Sequence, residues 1–260
     1  MFSPRSRAFA PLALATALLA ACEQAPDSSV TAVEEPPAEV MQGLTYGASP
    51  LRNDWPGAVA SAVTVDRLLA KNFYLVVDGS GSMSSTSCAQ GSTRIDVAKQ
   101  AVQQFIDKLP EDSNMGVYVF DSEGAAERVA LGSGRQGQVK EVVSGMRHGG
   151  GTPLSKAVNA GFNALTRQAQ VQLGYGEYHL VVVTDGEAKA NYDPTAEIDR
   201  LLAASPIEVH TVGFCIDSGH SLNRPGFTHY AAASDGESLL RGLESVLAEA
   251  PDFSSMEWSQ

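Results

Sequence analysis
The sequence predicts an α/β protein with a doubly wound, mostly parallel sheet, one short antiparallel edge strand and helices on both faces. Three observations carry that reading. Short runs such as Phe73–Val77 and Leu180–Val183 are apolar at every position rather than at alternate ones, as in strands buried on both faces. Segments with apolar residues at helical spacing separate such runs. Polar turn residues with glycine close two of them, at Asp78-Gly79 and Asp185-Gly186. Strands alternating with helices imply right-handed crossovers and a sheet covered on both sides.

The elements follow in chain order. Between Trp55 and Lys71, the spacing of Ala58, Ala62, Val65, Leu68 and Leu69 fits a helix leading into the first strand. Phe73–Val77 is that strand. Ile95–Ile106 is a helix that ends ahead of Pro110, whose ring cannot continue it. Met115–Asp121 reads as a second buried strand and Arg128–Leu131 as a short edge strand. Helical patterns cover 139–146 and 153–169. Tyr178–Thr184 and Ile207–Phe214 are two further strands, separated by a helix over 196–203, and 237–250 is an amphipathic closing helix.

The amino-terminal end is of a different kind. Arg5 and Arg7 precede an apolar stretch from Ala8 to Ala21 that ends Leu19-Ala20-Ala21-Cys22. A basic start, a short apolar core and small residues before a cleavage point describe a secretory signal rather than a spanning helix. Cys22 resembles the lipobox cysteine of bacterial lipoproteins, which is acylated and becomes the mature first residue; a plain secretory signal is the alternative. Residues 1–21 are thus expected to be the signal and 22–46, rich in Pro, Glu, Ala and Ser, a flexible tether. A leading helical segment occupies 47–71, the folded domain 72–250 and a tail 251–260. Removal of the signal takes two basic residues and no acid, leaving 16 basic against 30 acidic residues and moving the formal charge from −12 to −14. That balance, with no Lys/Arg cluster, argues against nucleic acid. Membrane attachment is expected through lipid at Cys22. Glu23 in the next position is not the Asp associated with inner-membrane retention, which favours the outer membrane of a bacterial envelope.

Chemistry concentrates after the first strand. In Asp78-Gly79-Ser80-Gly81-Ser82 a carboxylate and two hydroxyls alternate, so their side chains can converge on one point. Oxygen donors with few carboxylates suit Mg²⁺, which takes six oxygens at about 2.0–2.1 Å. Gly/Ser runs after strands are also ordinary turns. Two distant segments add to the motif: Gly149-Gly150-Gly151-Thr152-Pro153 ahead of a helix, and Thr184-Asp185-Gly186 after an apolar run. Read singly, Thr152 is a helix N-cap and Asp185 a turn residue. In doubly wound sheets ligands bind beyond the carboxyl ends of the strands, which is where Asp78 and Asp185 fall.

Together these residues resemble the metal-ion-dependent adhesion site of von Willebrand factor type A (VWA) domains: DxSxS, then a distant Thr, then a distant Asp. Asp78, Ser80, Ser82, Thr152 and Asp185 fill its five positions, and the order of elements from about Asn72 to about Ala250 is similar to that family's. The resemblance implies a VWA/Rossmann-like fold, with Ser80 and Ser82 as direct ligands and Thr152 ligating directly or through water. Asp78 and Asp185 hold coordinated waters or the ion. It implies Mg²⁺ as cofactor, with Mn²⁺ or Ca²⁺ as substitutes. Two aspartates neutralise a divalent ion without exceeding it. Neutral direct ligands leave the ion electrophilic toward a partner protein's Asp or Glu carboxylate. A metal-dependent adhesion or scaffolding protein, not an enzyme, is therefore expected.

Two other readings stay open. One is a Mg²⁺-dependent phosphohydrolase with Asp78 as nucleophile, although Ser80 stands where its second acid belongs. The other is a structural lipoprotein with a stabilising metal. Asp121 is read as an outer-shell or exposed strand-end acid, and Glu187 as a solvated one. His148 lies beside the glycine loop; His179 and His210 fall in strands as packing residues, and none has a metal-ligand partner at a recognisable spacing. Cys88 and Cys215 both fall at the carboxyl-end edge of a parallel sheet in a chain expected to reach an oxidising compartment. This permits a disulfide; two separate thiols are the alternative.

Overall fold
A computed structural model describes residues 54–57, 67–186, 193–216 and 219–248. Six strands form one sheet: β1 (Lys71–Asp78), β2 (Asn114–Asp121), β3 (Gly124–Ser133), β4 (Glu177–Thr184), β5 (Glu208–Phe214) and β6 (His229–Ala233). Their order is β3-β2-β1-β4-β5-β6, with β3 antiparallel to β2 and every other pairing parallel. The helices are α1 (Arg94–Lys108), α2 (Gln136–Gly145), α3 (Leu154–Val171), α4 (Thr195–Ala204) and α5 (Gly236–Ala248). The doubly wound α/β class is therefore the observed one.

Alternation along β1 explains the two layers. Phe73, Leu75 and Val77 pack with α1, α2 and α5, through residues such as Val102, Val139 and Leu243. Tyr74 and Val76 pack with α3 and α4, against residues such as Leu165 and Leu201. Every residue of β1 after Lys71 is buried, which is why the strand reads as a continuous apolar run. Burying each such Val, Leu or Phe contributes about 1.5–3 kcal/mol. α1 is capped by Thr93, whose hydroxyl accepts the Asp96 amide, and it stops at Leu109, before Pro110.

Three elements depart from the sequence reading. The edge strand β3 is not short: its ten residues make it the longest strand described. Its outer positions are mainly Gly, Ala, Glu and Ser, exposed or half-buried, so only Val129 and its neighbours carried a strand signature, and the hairpin turn at Ser122-Glu123 extends the pairing. β6 was not foreseen. It is His-Tyr-Ala-Ala-Ala, poor in β-branched residues, and it forms because β5 offers it a ladder from His210 to Phe214. The leading helix over 47–71 lies mostly outside the described residues. Within them, 67–70 forms a turn, and Trp55 donates from Nε1 to Thr166 Oγ1 of α3 at 3.1 Å.

Candidate metal centre
β1 and β4 are neighbours, yet the chain leaves β1 toward β2 on one side and resumes at β4 on the other. The loops beyond their carboxyl ends therefore diverge to opposite faces and leave a crevice between them. Asp78 and Asp185 stand at its two sides.

Asp78 is fully buried. Its Oδ1 accepts the Ser80 amide at 2.7 Å and its Oδ2 accepts the Thr184 hydroxyl at 2.6 Å. Burial pushes its pKa from 3.8 up to about 6, against the downward pull of the hydrogen bonds from Thr184 and Ser80. Ser80 is 2% exposed, whereas Ser82 opens to solvent. Their hydroxyl oxygens are 2.9 Å apart, and Ser82 Oγ donates to Asp185 Oδ1 at 2.6 Å. The single Ser82 proton is thereby committed, so Ser80 is the donor between the two serines. Adjacent ligands of an octahedral Mg²⁺ at about 2.0–2.1 Å are separated by roughly 2.8–3.0 Å. The two serine oxygens match that edge, and the donor set is all oxygen, so these residues fit the ion.

The glycine loop is held against this motif by backbone. Gly149 N–H donates to the Gly79 carbonyl at 2.8 Å and Gly81 N–H to the Gly150 carbonyl at 3.2 Å. Close approach requires glycine at both ends: a Cβ on Gly79 would sit 2.8 Å from the Asp121 Cβ, and Gly150 has φ +78° with Asp121 O at 3.1 Å from its would-be Cβ. Thr152 follows two residues on, partly buried. It does not cap α3, whose N-cap is Pro153 with no side-chain hydrogen bond. The N-cap reading of Thr152 is thus corrected.

The reading of Asp121 as an exposed strand-end acid is corrected as well. It is 5% exposed and accepts from the Glu123 amide, Arg128 Nη2 and the Arg147 amide. It ties the β2–β3 turn to the segment entering the glycine loop. His148 is exposed beside that loop, and Glu187 lies outside the described residues.

Three contributors escaped the sequence reading. Arg94, at the start of α1, places Nη1 2.8 Å from Asp185 Oδ2, with Asp185 buried and Arg94 nearly so. The formal charge of Asp78, Asp185 and Arg94 together is −1, not the −2 of the aspartates alone. Thr184 orients Asp78, and the signal for it was a hydroxyl at the end of an otherwise apolar strand. His220, 3% exposed, accepts the Leu222 amide at Nδ1 and so carries its proton on Nε2, 3.1 Å from the Gly186 carbonyl. No spacing rule reveals Arg94 or His220, because both reach the site from separate elements.

Cys88, in the loop after the serines, is bonded to Cys215 at the end of β5, with Cα atoms 6.0 Å apart. The bridge ties the metal-motif loop to the same sheet edge. The histidines read as packing residues are buried and stacked, His179 on Phe73 and His210 on His229. His179 and His210 meet Glu208 at the amino end of β4 and β5, so a common partner exists that spacing along the chain did not show.

Comparison with known proteins shows what the chain is similar to. Residues 73–187 match the model of the von Willebrand factor type A domain. The uncharacterized protein YwmD of Bacillus subtilis is 29% identical over 163 residues, 56% of this chain and 69% of that protein. Among solved structures, proximal thread matrix protein 1 from the mussel byssus, with a zinc-occupied MIDAS motif, superposes with a TM-score of 0.56 at 17% identity. That match covers 70% of this chain and 48% of the other. The pilus adhesin SpaC of Lactobacillus rhamnosus GG gives 0.55 at 17% identity, over 74% of this chain and 31% of that one. At such identities the structural likeness establishes the fold alone, and the family match marks 73–187 as similar to a VWA domain.

Proposed function
We propose that the VWA domain of this chain is a metal-dependent protein-binding module, presented on a lipid tether from Cys22 at the surface of a bacterial envelope membrane, the outer one by preference. The observation that carries the reading is the pair of serine hydroxyls 2.9 Å apart, backed by two buried aspartates at the switch point of the sheet. Ser80 and Ser82 would hold the ion, with Thr152 completing the donor set and Asp78 and Asp185 accepting from its waters. Mg²⁺ is the cofactor this donor set suits best, with Mn²⁺ or Ca²⁺ as substitutes. A bound ion supplies an electrophile for a carboxylate oxygen. Ser82, exposed where Ser80 is buried, marks the side from which a partner's Asp or Glu approaches. Arg94 removes one negative charge from the site's interior, which lowers the repulsion an incoming carboxylate meets. The metal in the MIDAS motif of the mussel protein and the adhesin role of SpaC lend support by analogy.

The geometry of Asp78 favours binding over phosphoryl transfer. Both of its oxygens accept hydrogen bonds within a buried strand end, so neither has a free line to a phosphorus atom. The test is a pull-down from solubilised envelope with and without Mg²⁺, comparing the wild type with Asp78→Ala. Proteins captured only by wild type with Mg²⁺ are expected; an identical set captured in chelator would overturn the proposal.

A further inference from the structure
A second convergence of ligand atoms lies at the opposite end of the sheet. His179 in β4 pairs in register with Glu208, the first residue of β5, and His210 follows two residues later. Alternate residues of a strand share a face, so Glu208 and His210 project together and His179 stands beside them. His179 Nδ1 is 3.2 Å from Glu208 Oε2, His210 Nε2 is 3.4 Å from the same oxygen, and the two nitrogens are 3.4 Å apart.

That triangle has the dimensions of one face of a metal tetrahedron. With Zn–N and Zn–O bonds of about 2.0–2.1 Å, tetrahedral geometry separates any two ligands by roughly 3.3–3.4 Å. All three donor atoms therefore face one another within reach of a single ion. Glu208 Oε2 is buried, with two imidazole nitrogens within 3.4 Å of it. A divalent ion placed among them would engage all three donors at once.

The surroundings hold the donors in place. The His179 ring stacks on Phe73 at 4.8 Å between centroids, and His210 stacks on His229 at 4.7 Å. His179 Nε2 lies 3.5 Å from Glu177 Oε2, which also faces Lys71 Nζ at 3.3 Å. A carboxylate on that side favours the proton on Nε2 and turns the Nδ1 lone pair inward, the usual support for a metal-bound imidazole. Both histidines are buried, at 1% and 2% exposure, while the Glu208 side chain is 43% exposed and gives a path from solvent.

We infer that His179 Nδ1, Glu208 Oε2 and His210 Nε2 bind one Zn²⁺ at the amino end of β4 and β5. Two imidazoles and one carboxylate select a borderline-soft ion over Mg²⁺, so the two ends of the sheet take different metals. The fourth donor comes from outside the trio, water in the isolated protein. Bound zinc cross-links β4 to β5. The inference stands independently of the carboxyl-end site.

The test uses the full exported chain, stripped of metal and titrated with Zn²⁺ against a chromophoric chelator in excess Mg²⁺. One zinc per chain is expected in the wild type and in Ser80→Ala/Ser82→Ala, which removes the serine ligands at the other end. Glu208→Gln and His210→Gln should each weaken zinc binding by at least about 100-fold, as loss of a ligand exceeds loss of its outer support. X-ray absorption should show two imidazoles and an oxygen around the metal. Circular dichroism of the metal-free variants checks folding, and if His210→Gln misfolds, the nearly isosteric Glu208→Gln decides. Zinc retained by Glu208→Gln, or lost from the serine variant, overturns the inference.

Discussion

Arg94 Nη1 lies 2.8 Å from Asp185 Oδ2 while the other oxygen of that carboxylate accepts the Ser82 hydroxyl at 2.6 Å. One aspartate thus links a largely covered cation to the more exposed of the two serines. Replacing Arg94 with Gln leaves Asp185 without its charge partner in a buried site, a change that costs about 3–5 kcal/mol. The melting temperature of the metal-free variant should fall sharply, and Mg²⁺ should restore more of it than it adds to the wild type. A calorimetric comparison of the two with and without Mg²⁺ measures this. An equal increment in both would show that Arg94 does not modulate the ion.

Asp78 makes the metal-free protein sensitive to pH. Its folded pKa, about 6, lies above the unfolded value of 3.8, so the folded state binds the proton more tightly. Its contribution to stability is complete below pH 3.8 and is lost as pH rises through 6, a change of about 3 kcal/mol at 1.36 kcal/mol per unit. A cation favours the ionised carboxylate and opposes that loss. Denaturant titrations should show Mg²⁺ stabilising the protein strongly at pH 7.5 and little at pH 5, with Asp78→Asn reducing the difference.

Cys88 and Cys215 close a loop of sequence separation 127. A loop of that order corresponds to about 3–5 kcal/mol of stabilisation through the unfolded chain. Cys88→Ser/Cys215→Ser should lower the denaturant midpoint by a corresponding amount. Mg²⁺ affinity should also drop, because the bridged loop continues directly from Ser82. Unchanged affinity would separate the bridge from the site.

Cys22→Ala should abolish incorporation of labelled palmitate and release the protein from the membrane fraction. Retention of the label would remove the lipid-anchor proposal while leaving the metal site untouched.

The legible parts of the protein share a cause. β1, β2 and β4 are buried on both faces, so the central stretches of their sequences are apolar at successive positions and announce themselves. α1 carries its own stop at Pro110 and its own cap at Thr93. β6 has neither signal, because an edge strand of alanines owes its conformation to the neighbouring ladder. The same division runs through the site. Asp78, Ser80 and Ser82 are readable because three residues of one loop carry their spacing with them. Arg94 and Thr184 join them through hydrogen bonds to Asp185 and Asp78, from α1 and β4.

Periodicity and short-range spacing are properties of the chain alone, and they sufficed for the class of the fold and for Asp78, Ser80 and Ser82 as candidate oxygen donors. The Arg94–Asp185 pair, the fixing role of Asp121 and the meeting of His179, Glu208 and His210 emerge in three dimensions alone. Each depends on the register between strands or on the docking of a helix. Those are set by the packing of the whole sheet, and they leave no mark in the spacing of residues along the chain.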